Sequence, residues 1–138
     1  MPDIIFLLPI KGAPDRVYES LTEPAGIKSW WTRDASLDGD VEGVGEFGFF
    51  NGSRTTKVRI AELQRPERVA WETVESNVPG WTGTRITFEV RPDGEGTVLF
   101  FAHRGFATEE DCGRYTTGWG YYLRSLQQYH ETGVGTPH

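Results

Sequence analysis

The chain has 138 residues, of which 37% are hydrophobic, so it can bury the core of a single domain. Its formal net charge of −6 and the lack of a basic cluster argue against nucleic acid and anionic membrane surfaces as partners. The single cysteine, Cys112, excludes an internal disulfide, and with three scattered histidines it does not supply a Cys/His zinc site. We therefore expect one domain over residues 1–138, with no metal and no cofactor.

A short apolar run near the start predicts a β-strand over Asp3–Leu8, which Pro9–Gly12 should end. The run is too short to span a membrane, and it lacks the basic segment that opens a signal peptide. We therefore expect a cytosolic protein that does not insert into membranes.

Two short helices are predicted after this strand. The first, Pro14–Leu21, begins with a proline, whose missing N–H is harmless in the first turn of a helix. The second is expected to be capped by Thr22 and to end at Trp30 and Trp31. Since two adjacent side chains at a helix end should not both face one core, one of these tryptophans is expected to rim an opening. Residues 32–45 are polar and glycine-rich, which indicates a loop or a weak strand.

Between Gly45 and Arg104 the hydrophobic pattern has the two-residue period of β-strands. Asn51-Gly52 is a strong hairpin signal, turn residues recur at 65–67 and 92–94, and 77–81 is a longer loop. These breaks predict five or six antiparallel strands. The residues that alternate onto one face of them are Phe47 and Phe49; Thr56, Val58 and Ile60; Val69, Trp71 and Thr73; Ile86, Phe88 and Val90; and Leu99, Phe101 and His103.

The last part of the chain carries the only long helical pattern, Thr108–His130. Apolar and aromatic residues recur there in steps of three and four, which places them on one stripe of a helix. Thr108 suits the N-cap, and Gly133 suits the end of the helix. A helix that buries such a stripe against one sheet gives an α+β fold.

Three glycines lie in the first half of this helix, at Gly113, Gly118 and Gly120, and none lies in Tyr121–Glu131. Each glycine lowers helix stability by up to about 1 kcal/mol relative to alanine. One interpretation is that these glycines allow close backbone packing or a kink. The other is that the first half of the helix leaves space beneath it and can move. The latter hypothesis predicts more empty space and higher mobility at the first half than at the second.

Two motif matches are interpreted as accidental. Gly43–Gly48 fits G-x-G-x-x-G, but a phosphate-binding loop needs a strand before it and a helix after it, and here a hairpin strand follows. Asn51–Ser53 fits a glycosylation sequon, which without a signal peptide is better explained as the hairpin turn.

His103 is the titratable side chain with the most interesting position, because it ends a strand on the inward-facing side. It is interpreted as a hydrogen-bonded histidine at the edge of the core, as a ligand contact, or as a catalytic acid or base. Trp71 and Trp119 are expected in the core, whereas Trp81, beside Pro79-Gly80, could belong to a mobile lid.

Several ordered motifs of the chain match those of a known superfamily. Ala13–Thr32 fits V-[YW]-x-A-L-T-[DN]-P-x-x-[LI]-x-x-W-W, with Ser20 where alanine is common, and Gly96–Phe106 fits G-T-x-[LV]-x-[LF]-x-H-x-G-F. Further matches are Gly45–Phe49, Arg65–Trp71, Gly118-Trp119 and Leu126. Over nearly its whole length, the chain resembles the SRPBCC proteins close to the Hsp90-ATPase-activator homologues, the AHSA1-like group.

The resemblance implies the helix-grip fold, in which a curved antiparallel sheet wraps around a long C-terminal helix and two short helices follow strand one. It also implies that a cavity for a hydrophobic ligand lies between sheet and helix. Members include lipid carriers, polyketide cyclases, hormone receptors and co-chaperone domains, so membership alone assigns no function.

Three functions are consistent with these patterns. The leading hypothesis is a binding domain, monomeric or homodimeric, that holds a small hydrophobic or aromatic molecule in an internal cavity. An enzyme of the cyclase, dehydratase or hydrolase type would use His103 with Tyr115 or Tyr122. A protein-interaction domain of the Hsp90-activator kind would expose an apolar patch around Trp30 and Trp31. The residues expected to line the cavity are Trp30, Phe47, Phe49, Val58, Trp71, Trp81, Phe88, Phe101, His103, Trp119, Tyr122 and Leu123.

Overall fold

Seven strands and three helices make up residues 2–138, the part of the chain that the computed structural model describes. In chain order they are β1 (Ile4–Ile10), α1 (Pro14–Thr22), α2 (Pro24–Trp30), β2 (Asp34–Leu37), β3 (Val44–Phe49), β4 (Arg54–Gln64), β5 (Arg68–Ser76), β6 (Arg85–Asp93), β7 (Gly96–Arg104) and α3 (Glu109–Thr132). The predicted α+β order, with two short helices after strand one and a long helix at the end, is confirmed.

The strands form one antiparallel sheet in the order β1-β7-β6-β5-β4-β3-β2. Its register sets Phe88 of β6 opposite Phe101 of β7, so the apolar faces of neighbouring strands coincide. The curved sheet carries its buried side chains toward α3, which contacts β1 and α2. This arrangement is the helix-grip fold. The weak strand predicted within residues 32–45 is β2, which pairs only with β3.

The first strand is longer than predicted, because Pro9 lies within it. The sequence analysis placed the end of the strand at Leu8, since proline lacks the N–H that a central strand needs. However, β1 is at the edge of the sheet and pairs only with β7, so one side of the strand needs no hydrogen-bond donors. The prediction was wrong because sequence alone does not show which strand is at an edge.

The two short helices pack against each other, and their junction differs from the prediction. Thr22 is the last residue of α1, where its hydroxyl donates to the Tyr18 carbonyl at 2.9 Å, and Glu23 occupies the N-cap position of α2. The prediction that Thr22 caps α2 was therefore wrong. At the other end of α2, Trp30 and Trp31 are both buried, at 0% and 1% exposure, and their rings stack 5.9 Å apart.

Both tryptophans can face one core because the helix ends between them. Trp30 is the last residue of α2, and Trp31 follows as its C-cap with φ −106° and ψ −71°, so its side chain departs from the helical direction. The expectation that the two rings cannot both face one core was wrong, because it assumed continuous helical geometry through both residues. One of them nevertheless borders an opening, as expected, since Trp31 lines the cleft described below.

The long C-terminal helix begins and ends at the predicted signals. Thr108 is the N-cap, and its hydroxyl accepts a hydrogen bond from the Asp111 N–H at 3.1 Å. Gly133 ends the helix with φ +84°, a left-handed conformation that glycine adopts without strain. The second half of α3 is anchored by Leu123 and Leu126, which are fully buried.

Both interpretations of accidental motifs agree with the fold. Gly43–Gly48 lies within β3 except for its first residue, and the next element is β4 rather than a helix. Phe50, Asn51 and Gly52 have positive φ and turn the chain between β3 and β4, so the sequon lies in the hairpin turn, as expected. Phe50 also leaves 62% of its surface exposed at the tip of this hairpin.

Candidate functional site

A cleft of about 370 Å³ opens between the tip of the β3–β4 hairpin, the loop that joins β5 to β6, and α3. Four of the five α3 residues in its wall belong to the first half of that helix. The wall is mostly aromatic or aliphatic, with two arginines as its only charged side chains. Its lining residues are Trp31, Phe49, Phe50, Arg54, Val78, Pro79, Trp81, Arg114, Tyr115, Gly118, Trp119 and Tyr122.

The structure brings four of the twelve sequence-predicted site residues into this wall: Phe49, Trp81, Trp119 and Tyr122. The other eight do not line it. Trp30, Phe47, Val58, Trp71, Phe88, Phe101, His103 and Leu123 are buried in the packed core. They were chosen because they share the inner face of the sheet, but their rings fill most of the space between sheet and helix. Only the end of that space nearest the hairpin tip stays open.

The cleft residues that sequence reasoning missed come mainly from turns and from the outer flank of α3. Phe50 and Arg54 bracket the hairpin turn, and Val78 and Pro79 lie in the loop beside Trp81. The glycine-rich first half of α3 was the one signal that pointed to this end of the molecule. Gly118 lines the cleft, and a Cβ atom placed on it would meet no atom within 4 Å.

All five tryptophans form one continuous stacked array. Trp31 is at its centre, with ring centroids 5.9 Å from Trp30, 6.1 Å from Trp71 and 5.2 Å from Trp119. Trp119 in turn stacks on Trp81 at 6.0 Å, with only 9° between the ring planes. Stacked aromatic rings stabilise a fold beyond what their buried area contributes. The array therefore braces the three of its members that line the cleft, Trp31, Trp81 and Trp119.

A buried hydrogen-bond relay holds Trp119 and Trp81 in place. Trp119 donates its indole N–H to His103 Nδ1 at 3.0 Å, and His103 Nε2 lies 2.8 Å from Thr84 Oγ1. Because an indole nitrogen can only donate, Nδ1 must accept, and the neutral ring carries its proton on Nε2. The Thr84 hydroxyl therefore accepts a hydrogen bond from His103 and donates one to the Trp81 carbonyl at 2.5 Å.

His103 is a structural residue of the core. It is 0% exposed, both ring nitrogens have partners, and burial lowers its pKa to about 3. A side chain that is neutral, sealed and fully hydrogen-bonded cannot exchange a proton with a substrate in the cleft. This geometry favours the interpretation of His103 as a hydrogen-bonded histidine of the core over that of a catalytic acid or base.

Three residues bring polar side-chain groups to the cleft beside its tryptophans: Tyr115, Arg54 and Arg114. The Tyr115 hydroxyl donates to the Pro79 carbonyl at 2.5 Å and so fastens the β5–β6 loop to α3. Burial raises the pKa of the Tyr115 phenol, whereas the cations Arg114 and Arg54 lower it and Asp111 raises it. Arg54 donates to the Asn77 carbonyl at 2.9 Å, and Arg114 pairs with Glu110 at 3.2 Å.

Further features of residues 2–138 bear on the type of site. Within this range no group of three or more His, Cys, Asp and Glu side chains is placed to hold a metal ion. None of the helices described here combines the length and the apolarity that crossing a bilayer requires.

The sequence of residues 11–131 matches the family model described as "Activator of Hsp90 ATPase homolog 1-like protein". The chain belongs to this family. The AHSA1-like resemblance inferred from the ordered motifs is thereby confirmed. No protein in a comparison with curated proteins matches the sequence.

Solved structures of other proteins share this AHSA1-like fold. The Aha1 dimer from Colwellia psychrerythraea is 30% identical, with a TM-score of 0.84, over 98% of this chain and 100% of its own. Protein SSP2350 from Staphylococcus saprophyticus is 20% identical, with a TM-score of 0.81, over 98% and 96% of the two chains. CalU16 from Micromonospora echinospora is 18% identical, with a TM-score of 0.75, over 95% and 77%.

Proposed function

We propose that this AHSA1-like protein binds a small hydrophobic or aromatic molecule in the cleft between the β3–β4 hairpin and α3. The observation that carries the proposal is the aromatic wall, in which the partly exposed rings of Phe49, Tyr115 and Tyr122 border an opening of about 370 Å³, backed by the buried stack of Trp31, Trp81 and Trp119. Pockets for small molecules in proteins usually span 300–1,000 Å³ and are mostly apolar, with a few polar groups.

The rigidity of the wall supports binding. The relay through His103 and Thr84 fixes both Trp119 and the backbone of Trp81, and Tyr115 fastens the loop that carries Trp81. A site whose rings are already held loses little conformational entropy when it is occupied. A planar apolar ligand would therefore gain dispersion contacts and lose water contacts without first ordering its site.

Native mass spectrometry of freshly purified protein tests the proposal. We expect an adduct of small-molecule mass that is lost in Gly118→Leu, since that side chain would project into the open space of the cleft. Gly113→Leu is the matched control, because Gly113 lies on the same helix with open space around it but outside the cleft wall. An adduct that survives Gly118→Leu, or its absence together with no binding of added aromatic probes, would refute the proposal.

A second candidate function is a protein-interaction domain of the co-chaperone type. The prediction of an exposed apolar patch around Trp30 and Trp31 was wrong, since both side chains are buried. The exposed aromatics are instead Phe50, at 62%, and Tyr121, at 56%, which lie on either side of the pair Phe49 and Tyr122. This patch supports binding to another protein.

A pull-down distinguishes this second function. We expect Hsp90 from the same organism to be retained by the wild-type chain and lost with the double variant Phe50→Ser, Tyr121→Ser. Val74→Ser, at another exposed apolar position, should have no effect. No retention by the wild type rejects the candidate. The Colwellia relative was solved as a dimer, so sedimentation analysis of the same samples should decide between the expected monomer and homodimer.

A further inference from the structure

We propose that the ligand of the cleft is an aromatic acid, whose carboxylate is bound by Arg54 and Arg114 while its ring lies against the tryptophans. The inference rests on the proposed binding function and adds the chemical class of the ligand. It starts from the charge of the wall: the two arginines line the cleft, and no acidic side chain does. The whole chain, in contrast, has 20 acidic and 14 basic residues.

Arg54 has unused hydrogen-bonding capacity. Among residues 2–138 no carboxylate lies within ion-pair distance of its guanidinium, and its recorded side-chain hydrogen bond is the one to the Asn77 carbonyl. A guanidinium carries five N–H donors in a planar fork that matches the two oxygens of a carboxylate. Most of the donors of Arg54 therefore stay open to an incoming anion.

Arg54 is also held next to the aromatic wall. It is the first residue of β4 and pairs in the sheet with Phe49, the last residue of β3 and itself a cleft residue. Its bond to the Asn77 carbonyl ties it to the start of the β5–β6 loop, which also supplies the cleft residues Val78 and Pro79. A ligand in contact with Phe49 would therefore have its polar end within reach of this guanidinium.

Arg114 supplies the second cation. Its partner Glu110 is one helical turn away, and the two side chains are 50% and 83% exposed. Exposed pairs of this type are weak, so a ligand carboxylate can replace Glu110 at little cost. Both arginines line the same cleft as Tyr115, and both lower the pKa of its phenol against the larger effect of burial. Asp111 also acts on that phenol but does not line the opening.

This arrangement fits an amphipathic ligand rather than a purely apolar one. The aromatic rings of the wall, with Phe49 and Tyr122 partly exposed, offer apolar contact, and the two guanidinium groups that line the same cleft offer charge. Charge-assisted hydrogen bonds to a carboxylate are roughly twice as strong as neutral ones. The arginines therefore give selectivity for the acid over a neutral molecule of the same shape.

Isothermal titration with 2-naphthoate and its neutral isostere 2-naphthamide tests the inference. We expect the acid to bind about tenfold more tightly, as one or two net charge-assisted hydrogen bonds would give. Arg54→Gln should bring the two affinities together, and Arg54→Lys, which keeps the charge but not the fork, should restore part of the preference. Arg124→Gln, an exposed α3 residue outside the cleft, is the control and should change nothing.

The outcomes separate this inference from the function on which it rests. Equal binding of acid and amide by the wild-type chain overturns the aromatic acid and leaves the binding function in place. A preference for the acid that persists in the double variant Arg54→Gln, Arg114→Gln overturns the assigned residues. Failure of both probes to bind refutes the inference and counts against the binding function itself.

Discussion

At the scale of single residues, the most informative group is the relay from Trp119 through His103 and Thr84 to the Trp81 carbonyl. Sequence placed His103 on the inward face and left its role open, because its partners come from the β5–β6 loop and α3, distant along the chain. Only the assembled fold shows that both ring nitrogens are used. The relay connects the core to two rings of the cleft wall.

Removing the hydroxyl of Thr84 should lower the stability of the fold considerably, although the change in side-chain volume is small. In Thr84→Val the buried His103 Nε2–H keeps no acceptor, and such an orphaned group costs about 1–3 kcal/mol. We therefore expect a fall of that order in the free energy of unfolding measured by urea denaturation. Thr84→Ser keeps the hydroxyl and should lose clearly less. Equal losses in the two variants would show that the methyl group, not the hydrogen bond, matters here.

The buried neutral histidine also makes stability depend on pH. Its pKa is about 3 in the folded chain and near the ordinary 6.5 when unfolded. Below pH 6.5 the unfolded chain binds a proton that the folded chain does not. The free energy of unfolding therefore decreases as the pH is lowered, by up to about 1.4 kcal/mol per pH unit. The pKa of His130 is lowered too, by burial and by Arg16, and acts in the same direction.

The measurement compares urea denaturation at pH 7 and pH 5 for the wild-type chain and His103→Gln. The variant should be less stable at pH 7, yet it should lose less stability on acidification, because the residue that resists protonation is gone. A variant with the same loss between the two pH values would contradict the assignment of a buried neutral His103.

At the scale of elements, the sequence predicted the ends of helices and strands well where a single residue determines them. It predicted them poorly where contacts with neighbouring elements determine them. Thr108 and Gly133 bound α3 as expected, since capping and left-handed backbone are properties of single residues. The end of β1 was wrong because Pro9 is harmless only at a sheet edge, and edge position is a property of the whole sheet. The start of α2 was wrong because Thr22 bonds back into α1.

The contact between α1 and α2 depends on the absence of a side chain at Gly26. A Cβ atom there would lie 2.5 Å from the Ser20 Cα, and backbone cannot move aside as a flexible side chain can. We expect Gly26→Ala to destabilise the protein by about 1–3 kcal/mol, the usual cost of overpacking. Thermal unfolding should show this loss. Gly39→Ala, where a Cβ meets nothing within 4 Å, should be nearly neutral, and a similar shift in both would contradict the packing argument.

The division of α3 into two halves is partly visible in the structure. The cleft lies against Arg114, Tyr115, Gly118 and Trp119, whereas the second half is anchored by buried leucines. The higher mobility of the first half stays a prediction. Hydrogen exchange should find the amides of residues 113–120 exchanging faster than those of 122–129, because glycines weaken the helix there and little packs over it. Uniform protection along α3 would contradict it.

At the scale of the whole molecule, the fold could be predicted and the open part of its interior could not. Hydrophobic period and ordered motifs specify a sheet gripping a helix, and every such inward residue was a reasonable cavity candidate. How much of that space stays empty depends on how large rings pack in three dimensions. Trp30, Trp71 and Phe88 fill it, and the opening moves to the hairpin tip. Arg54 and Arg114 could not be foreseen, because sequence does not show which surface positions border a gap.

The stacked tryptophans make the protein its own optical reporter. Since each of the five indoles lies within about one ring diameter of another, excitation absorbed by any of them can migrate through the array to Trp31, Trp81 and Trp119. A single quenching molecule held in the cleft should extinguish the fluorescence of all five, including Trp30 and Trp71, which it never touches.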